Sequence, residues 1–178
     1  MKRYIIKKKI TLRFIIQADS EADARDMVRA RAKATTSNML DLALAGRLGL
    51  VVDGTGRDFD KISYQVRALK ELGYDTHMIF VNTSLDVALQ RNQMRSRTIP
   101  EYIVTRSWND VQSNIGKFQN LFGPSNMVII DNNISDKELT TQTMTKVSKA
   151  VNRMLNNPIK SYTAKRWIAT ELRNKRRK

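Results

Sequence analysis

Apolar residues change their spacing along the chain in a regular order, and that order predicts alternating strands and helices. Ile10, Leu12, Phe14 and Ile16 alternate with other residues, the period of a strand with one buried face. The run ends at Gln17-Ala18-Asp19-Ser20, where Ser20 or Asp19 is placed to cap a helix. Glu21, Asp23 and Asp26 favour the start of that helix electrostatically. Ala22, Ala24, Met27, Val28, Ala30, Ala32 and Ala34 favour its continuation. The pattern predicts a helix reaching Ala45, with a break near Thr35-Thr36-Ser37, before Gly46.

Three continuous apolar runs follow, of the kind buried on both faces of a parallel sheet. They predict strands over about 48–53, 76–81 and 126–131. The first and third end in an acid, Asp53 and Asp131, and the second is followed by Asn82. Between the first two, Phe59, Ile62, Val66, Leu69 and Leu72 recur at three and four residues from Asp58 to Gly73, predicting an amphipathic helix closed by glycine.

Thr83 or Ser84 opens another helix through Leu85, Ala88 and Leu89. Beyond Pro100, Val104, Trp108, Val111, Ile115, Phe118 and Phe122 mark one long packed helix, with Trp108 read as core. Ser135 caps a helix reaching Met154, and a last helix after Pro158 carries Trp167, Ile168 and Leu172, with Trp167 likewise read as core. Strands alternating with long helices imply right-handed crossovers and a three-layer α/β domain around a parallel sheet. Ligands of such sheets bind at the carboxyl ends of the strands. That expectation places Asp53, Asn82 and Asp131 along one rim.

Charge divides the chain unevenly. The net charge is +15, yet residues 1–13 hold six Lys or Arg and no acid, and residues 160–178 hold eight against Glu171, leaving +2 for residues 14–159. A nearly neutral body with basic ends predicts either nonspecific contact with nucleic acid through those ends or tails that keep the protein soluble or touch a partner chain. The organisation expected is an atypical N-terminal strand and helix start over 1–24, an α/β body over 25–160, and a C-terminal helix with basic tail over 161–178. The chain has no Cys, and His77 is its one histidine, which excludes disulfides, thiol nucleophiles, thiolate zinc sites and multi-histidine metal sites. We expect no metal-ligating residues, no signal peptide, no membrane anchor and a cytoplasmic setting.

Two stretches carry candidate chemistry. Asp53-Gly54-Thr55-Gly56-Arg57-Asp58 sets a carboxylate at the end of an expected strand, before two glycines that let backbone approach a ligand. It reads equally as a tight turn whose Asp caps local amides. Arg91, Arg95 and Arg97, with Arg106 after Pro100, offer bidentate phosphate donors on a segment that closes over a nucleotide, or cations solvated at a helix end. A lone His77 reads as structural.

Taken together, Leu48-Gly49-Leu50-Val51-Val52-Asp53-Gly54-Thr55-Gly56-Arg57-Asp58, Gly73-Tyr74-Asp75-Thr76, Phe80-Val81-Asn82-Thr83-Ser84-Leu85 and Ala88-Leu89-Gln90-Arg91-Asn92 resemble the zeta-toxin-like P-loop kinases common in phages. Asn114-Ile115-Gly116-Lys117-Phe118-Gln119, Ile130-Asp131-Asn132-Asn133 and Ala164-Lys165-Arg166-Trp167-Ile168 continue the resemblance, over about residues 25–178. It implies a nucleoside-triphosphate-dependent phosphotransferase using ATP and Mg²⁺. Asp53, Thr55 and Arg57 would then be catalytic, and Arg91, Arg95, Arg97 and Arg106 candidates for the phosphates.

The sequence departs from that family at its start. The family opens with a strand, a GxxxxGK[ST] loop and a helix, and none of the seven glycines here begins such a motif. Gly116-Lys117 is followed by Phe118, and the first expected helix starts with Asp19, Glu21 and Asp23, which repel phosphate. The expectation is a kinase-like domain incomplete or altered at its N-terminus and inactive alone, with a second chain able to supply the strand and loop. The alternative is a kinase fold reused as a basic nucleic-acid-binding or virion-associated protein.

Overall fold

The computed structural model describes residues 21–96, 98–133 and 137–177. The strand expected over 10–16, the Asp19 or Ser20 cap, the basic residues 1–13, Arg97 and the Ser135 cap lie outside the described residues. The chain divides into two compact units, residues 1–53 and 54–178.

The first unit carries α1, Glu21–Ala45. It runs through Thr35-Thr36-Ser37 without the expected break, because the Thr36 hydroxyl donates to the Ala32 carbonyl one turn back (2.8 Å) instead of competing for backbone elsewhere. The helix closes when Leu48 N–H turns back to the Ala43 carbonyl at 2.9 Å, with Arg47 in the left-handed region at φ 52°.

The strand expected over 48–53 does not form. Residues 48–55 have no regular structure, and Val51 is fully exposed (100%). An apolar run becomes a strand only where a neighbour takes up its backbone donors and acceptors. Among the described residues, the two strands that exist pair with each other.

In the second unit, α2 (Phe59–Glu71) leads to β1 (Met78–Asn82), α3 (Leu85–Gln93), α4 (Glu101–Phe122), β2 (Met127–Asp131), α5 (Lys137–Asn156) and α6 (Tyr162–Arg176). Asp58 caps α2 by accepting from Lys61 N–H at 3.0 Å, and Ser84 caps α3 by accepting from Val87 N–H at 3.4 Å. β1 and β2 run parallel, with Met78 opposite Met127 and Asn82 opposite Asp131, so their carboxyl ends form one flush rim.

The core lies between this sheet and the helices α2 and α4. Val66, Phe80, Phe118, Phe122 and Met127 form it, and Phe118 is wholly buried (0%). Its ring tilts against Phe59 and Phe80, with centroids 5.4 and 6.4 Å away. Gly56 rests on the same rings at φ 72°, where an added Cβ would sit 3.7 Å from both Phe118 and Phe80. The turn after Asp53 is thereby seated on the core.

α5 packs on β2 with Ala150 and Met154 buried outside that cluster, which makes the arrangement helix, sheet, helix. Trp167, expected in the core, is 37% exposed on α6 because the side of that helix facing the protein carries Ala164 and Ile168 instead. Among the described residues, no helix is long and apolar enough to cross a membrane.

Candidate functional site

The rim of the sheet is stitched by side-chain amides. The Asn82 carbonyl accepts from Asn132 N–H at 2.8 Å, tying the chain after β2 to the end of β1. The Asn133 side-chain oxygen accepts from Ser84 N–H at 2.6 Å, and its own amide groups donate to Asp131 Oδ1 at 2.9 and 2.6 Å. From α4, Gln112 Nε2 donates to Asn82 Oδ1 at 2.8 Å and Trp108 Nε1 donates to the Thr83 carbonyl at 2.7 Å. Trp108 is therefore half-buried at the rim, held by its polar edge, and is not the core residue its spacing suggested.

Above this rim lies a cleft of about 360 Å³. Arg91 on α3, Arg95 just beyond it, Trp108, Gln112 and Asn132 line it, and no Asp or Glu is among its lining residues. The charged groups lining the cleft are thus the two guanidinium groups. Arg106 is exposed on α4 and does not line it.

The connection that carries Arg95 is anchored at its base. Asn92, 5% exposed, donates through Nδ2 to the Ile99 carbonyl at 2.8 Å and accepts from Ile99 N–H at 3.1 Å. This two-way clasp closes the segment between α3 and α4 into a short loop with fixed ends.

A second cleft, of about 570 Å³, lies on another side of α4 and is lined by Thr55, Arg57, Asp58, Asp60, Asn114 and Lys117, with Phe59. Asn114, 4% exposed, holds its floor: Nδ2 donates to the carbonyls of Arg57 at 2.8 Å and Gly56 at 3.2 Å, while Oδ1 accepts from Lys117 Nζ at 3.2 Å. Lys117 Nζ also stands 5.6 Å from the Phe59 ring centroid. Arg57 pairs with Asp110 at 3.0 Å, but both side chains are 40 to 50% exposed, so the pair orients the guanidinium more than it stabilises the fold.

Thr55 and Arg57 thus share one cleft, Arg91 and Arg95 share another, and Asp53 ends the first unit as an exposed residue. His77 stands at the opposite end of β1 from the rim, its buried Nδ1 without a protein partner.

The sequence model of the zeta toxin family matches residues 12–143, well over half of the chain. The chain belongs to the zeta toxin family. Membership puts it among kinase-like P-loop phosphotransferase domains, whose members use ATP and Mg²⁺. The match takes in both clefts and stops before α6. No curated protein and no solved structure matches the chain.

Within the zeta toxin family match, Arg91 and Arg95 are the two arginines that line the first cleft. Among the described residues no three acidic, His or Cys side chains gather into a metal site, and Asp131 Oδ1 is already taken by Asn133. Sequence reasoning missed Asn92, Asn114, Gln112 and Trp108 as the residues that shape both clefts. One signal was available: Asn114 stands beside Ile115 between Val111 and Phe118, a polar residue in an apolar stripe, which a buried position tolerates only if its amide is fully used.

Proposed function

We propose that the chain is a nucleoside-triphosphate-dependent phosphotransferase domain in which Arg91 and Arg95 receive the phosphates and the turn of Thr55 and Arg57, entered from Asp53, faces the acceptor. The observation that carries this reading is the pair of arginines in a cleft free of carboxylates, at the carboxyl ends of two parallel strands. Phosphoryl transfer depends mainly on positive charge and positioning around the transferred group, and a guanidinium is suited to both. Arg97 and Arg106 are further candidates, Arg106 from α4. A nucleotide-bound Mg²⁺ would neutralise charge between the phosphates.

These 178 residues contain no GxxxxGK[ST], and successive amides with one Lys are what normally hold the β and γ phosphates. The reading therefore has the chain bind ATP·Mg weakly by itself and act with a second chain that supplies strand and loop. Calorimetric titration of the isolated chain with ATP·Mg is expected to show a dissociation constant near the millimolar range, about −4 kcal/mol. A micromolar constant, about −8 kcal/mol, would show another phosphate cradle and overturn this account. In a Trp167→Phe background, tripolyphosphate should change Trp108 fluorescence, and Arg91→Gln with Arg95→Gln should abolish the response. An unaltered response would remove the arginines from the site.

A further inference from the structure

The sequence suggested basic tails that attract polyanions without a shaped surface, but the cations of the last helix are not arranged as a tail. At 3.6 residues per turn, Lys165, Arg166, Arg173, Arg176 and Arg177 fall within about one third of the circumference of α6 and its C-cap. Tyr162, 78% exposed, lies at the middle of that arc. Ala164, Ile168 and Glu171 are the half-buried positions, and they lie on the opposite side. Glu171, the one acid of the helix, is thus turned away from these five cations, and Lys175 is the cation of the helix that shares its side.

Two features hold the helix in this orientation. Ser161 caps it by accepting from Ala164 N–H at 3.3 Å. Its first turn also sits against the end of α2, so close that a Cβ on Gly73 would stand 2.9 Å from the Ala164 nitrogen and 3.3 Å from the Thr163 side chain. The basic face is therefore presented outward by a helix that meets the body at its first turn, with Ala164, Ile168 and Glu171 half-buried on the other side. Among the described residues none of its cations has a carboxylate partner, and Arg173 Nε lies along the helix on the Ala169 carbonyl at 3.3 Å.

We infer that this face of α6 binds the phosphate backbone of a nucleic acid. From Lys165 to Arg176 the face extends about 17 Å along the helix axis, a length over which a duplex presents about ten phosphate charges. A row of guanidinium and ammonium groups of that length matches a linear polyanion. A lipid surface would need a continuous apolar side, whereas Tyr162, Trp167 and Leu172, the exposed large apolar residues of α6, lie at separate points around its circumference. The inference is independent of the phosphotransferase reading, since the family match ends before α6 and neither cleft includes any of its residues.

The test compares two variants of equal charge in the full chain. One carries Lys165→Gln, Arg166→Gln, Arg173→Gln and Arg176→Gln, which keep helix propensity at exposed positions. The other carries Arg31→Gln, Lys33→Gln, Arg67→Gln and Lys70→Gln, exposed cations elsewhere. Anisotropy with a short labelled duplex DNA measures affinity against salt. The α6 variant should lose about 0.9 in slope per phosphate contact. Its drop in affinity between about 50 and 200 mM salt should therefore be on the order of a hundredfold smaller than that of the parent. The second variant should stay close to the parent.

Equal losses in both variants would mean that net charge alone drives binding, and would overturn the inference. So would tighter binding of the parent chain to anionic phospholipid vesicles than to the duplex. Arg166→Glu with Arg173→Glu should abolish duplex binding, and retained affinity in that variant would exclude α6 as the surface.

Discussion

Asn114 is the residue on which the cleft of Thr55 and Arg57 most depends, and replacing it with Leu isolates its role. Leu keeps the volume of a side chain that is 4% exposed but removes both Nδ2 bonds, to the Arg57 carbonyl at 2.8 Å and the Gly56 carbonyl at 3.2 Å. Each bond contributes about 0.5 to 1.5 kcal/mol net, and a buried carbonyl left without a donor costs about 1 to 3 kcal/mol. The Gly56 carbonyl has no easy route to water because Gly56 is seated on Phe118 and Phe80. The expected loss for Asn114→Leu is about 2 to 4 kcal/mol, read as a fall of about 1 to 2 M in the urea midpoint at an ordinary slope. Asn114→Asp should cost at least as much, since it keeps the acceptor for Lys117 but turns a carboxylate oxygen toward two carbonyl oxygens. A Leu variant within about 0.5 kcal/mol of the parent would refute the reasoning. It would mean that the packing of Gly56 on the aromatic core holds the turn without the amide.

Two further substitutions separate backbone requirements from site chemistry. Gly73→Ala places a side chain at φ 95° and 2.9 Å from the Ala164 nitrogen. It should cost about 2 to 4 kcal/mol, from left-handed strain of about 1 to 2 kcal/mol plus displacement of α6, and should speed hydrogen exchange in α6. Unchanged exchange there would show that α6 does not depend on this contact. Asp53→Asn should leave the melting temperature unaltered, within about 0.5 kcal/mol, because Asp53 is exposed and follows a segment without regular structure. A drop of several degrees would mean that Asp53 serves the Gly54-Thr55-Gly56 turn.

The sequence by itself determined the elements whose signals are local. Asp58 and Ser84 begin α2 and α3 because each side chain reaches a backbone N–H three residues on. The apolar stripe from Val104 to Phe122 forms one helix because its spacing keeps a single face. The family was legible as well, since ordered motifs survive without knowledge of their contacts.

Tertiary structure decided what depends on a partner distant in the chain. Leu48–Asp53 has the composition of a buried strand, yet pairing is an interaction between two segments, and no described strand accepts it. Trp108 fits an apolar stripe, but the Thr83 carbonyl, 25 residues away, draws its Nε1 to the rim. The clasp of Asn92 on Ile99, the seat of Gly56 beneath Asn114 and the outward turn of the α6 cations are likewise set by which surfaces meet. Periodicity gives the face of a helix, and only packing decides whether that face meets the core, a ligand or solvent.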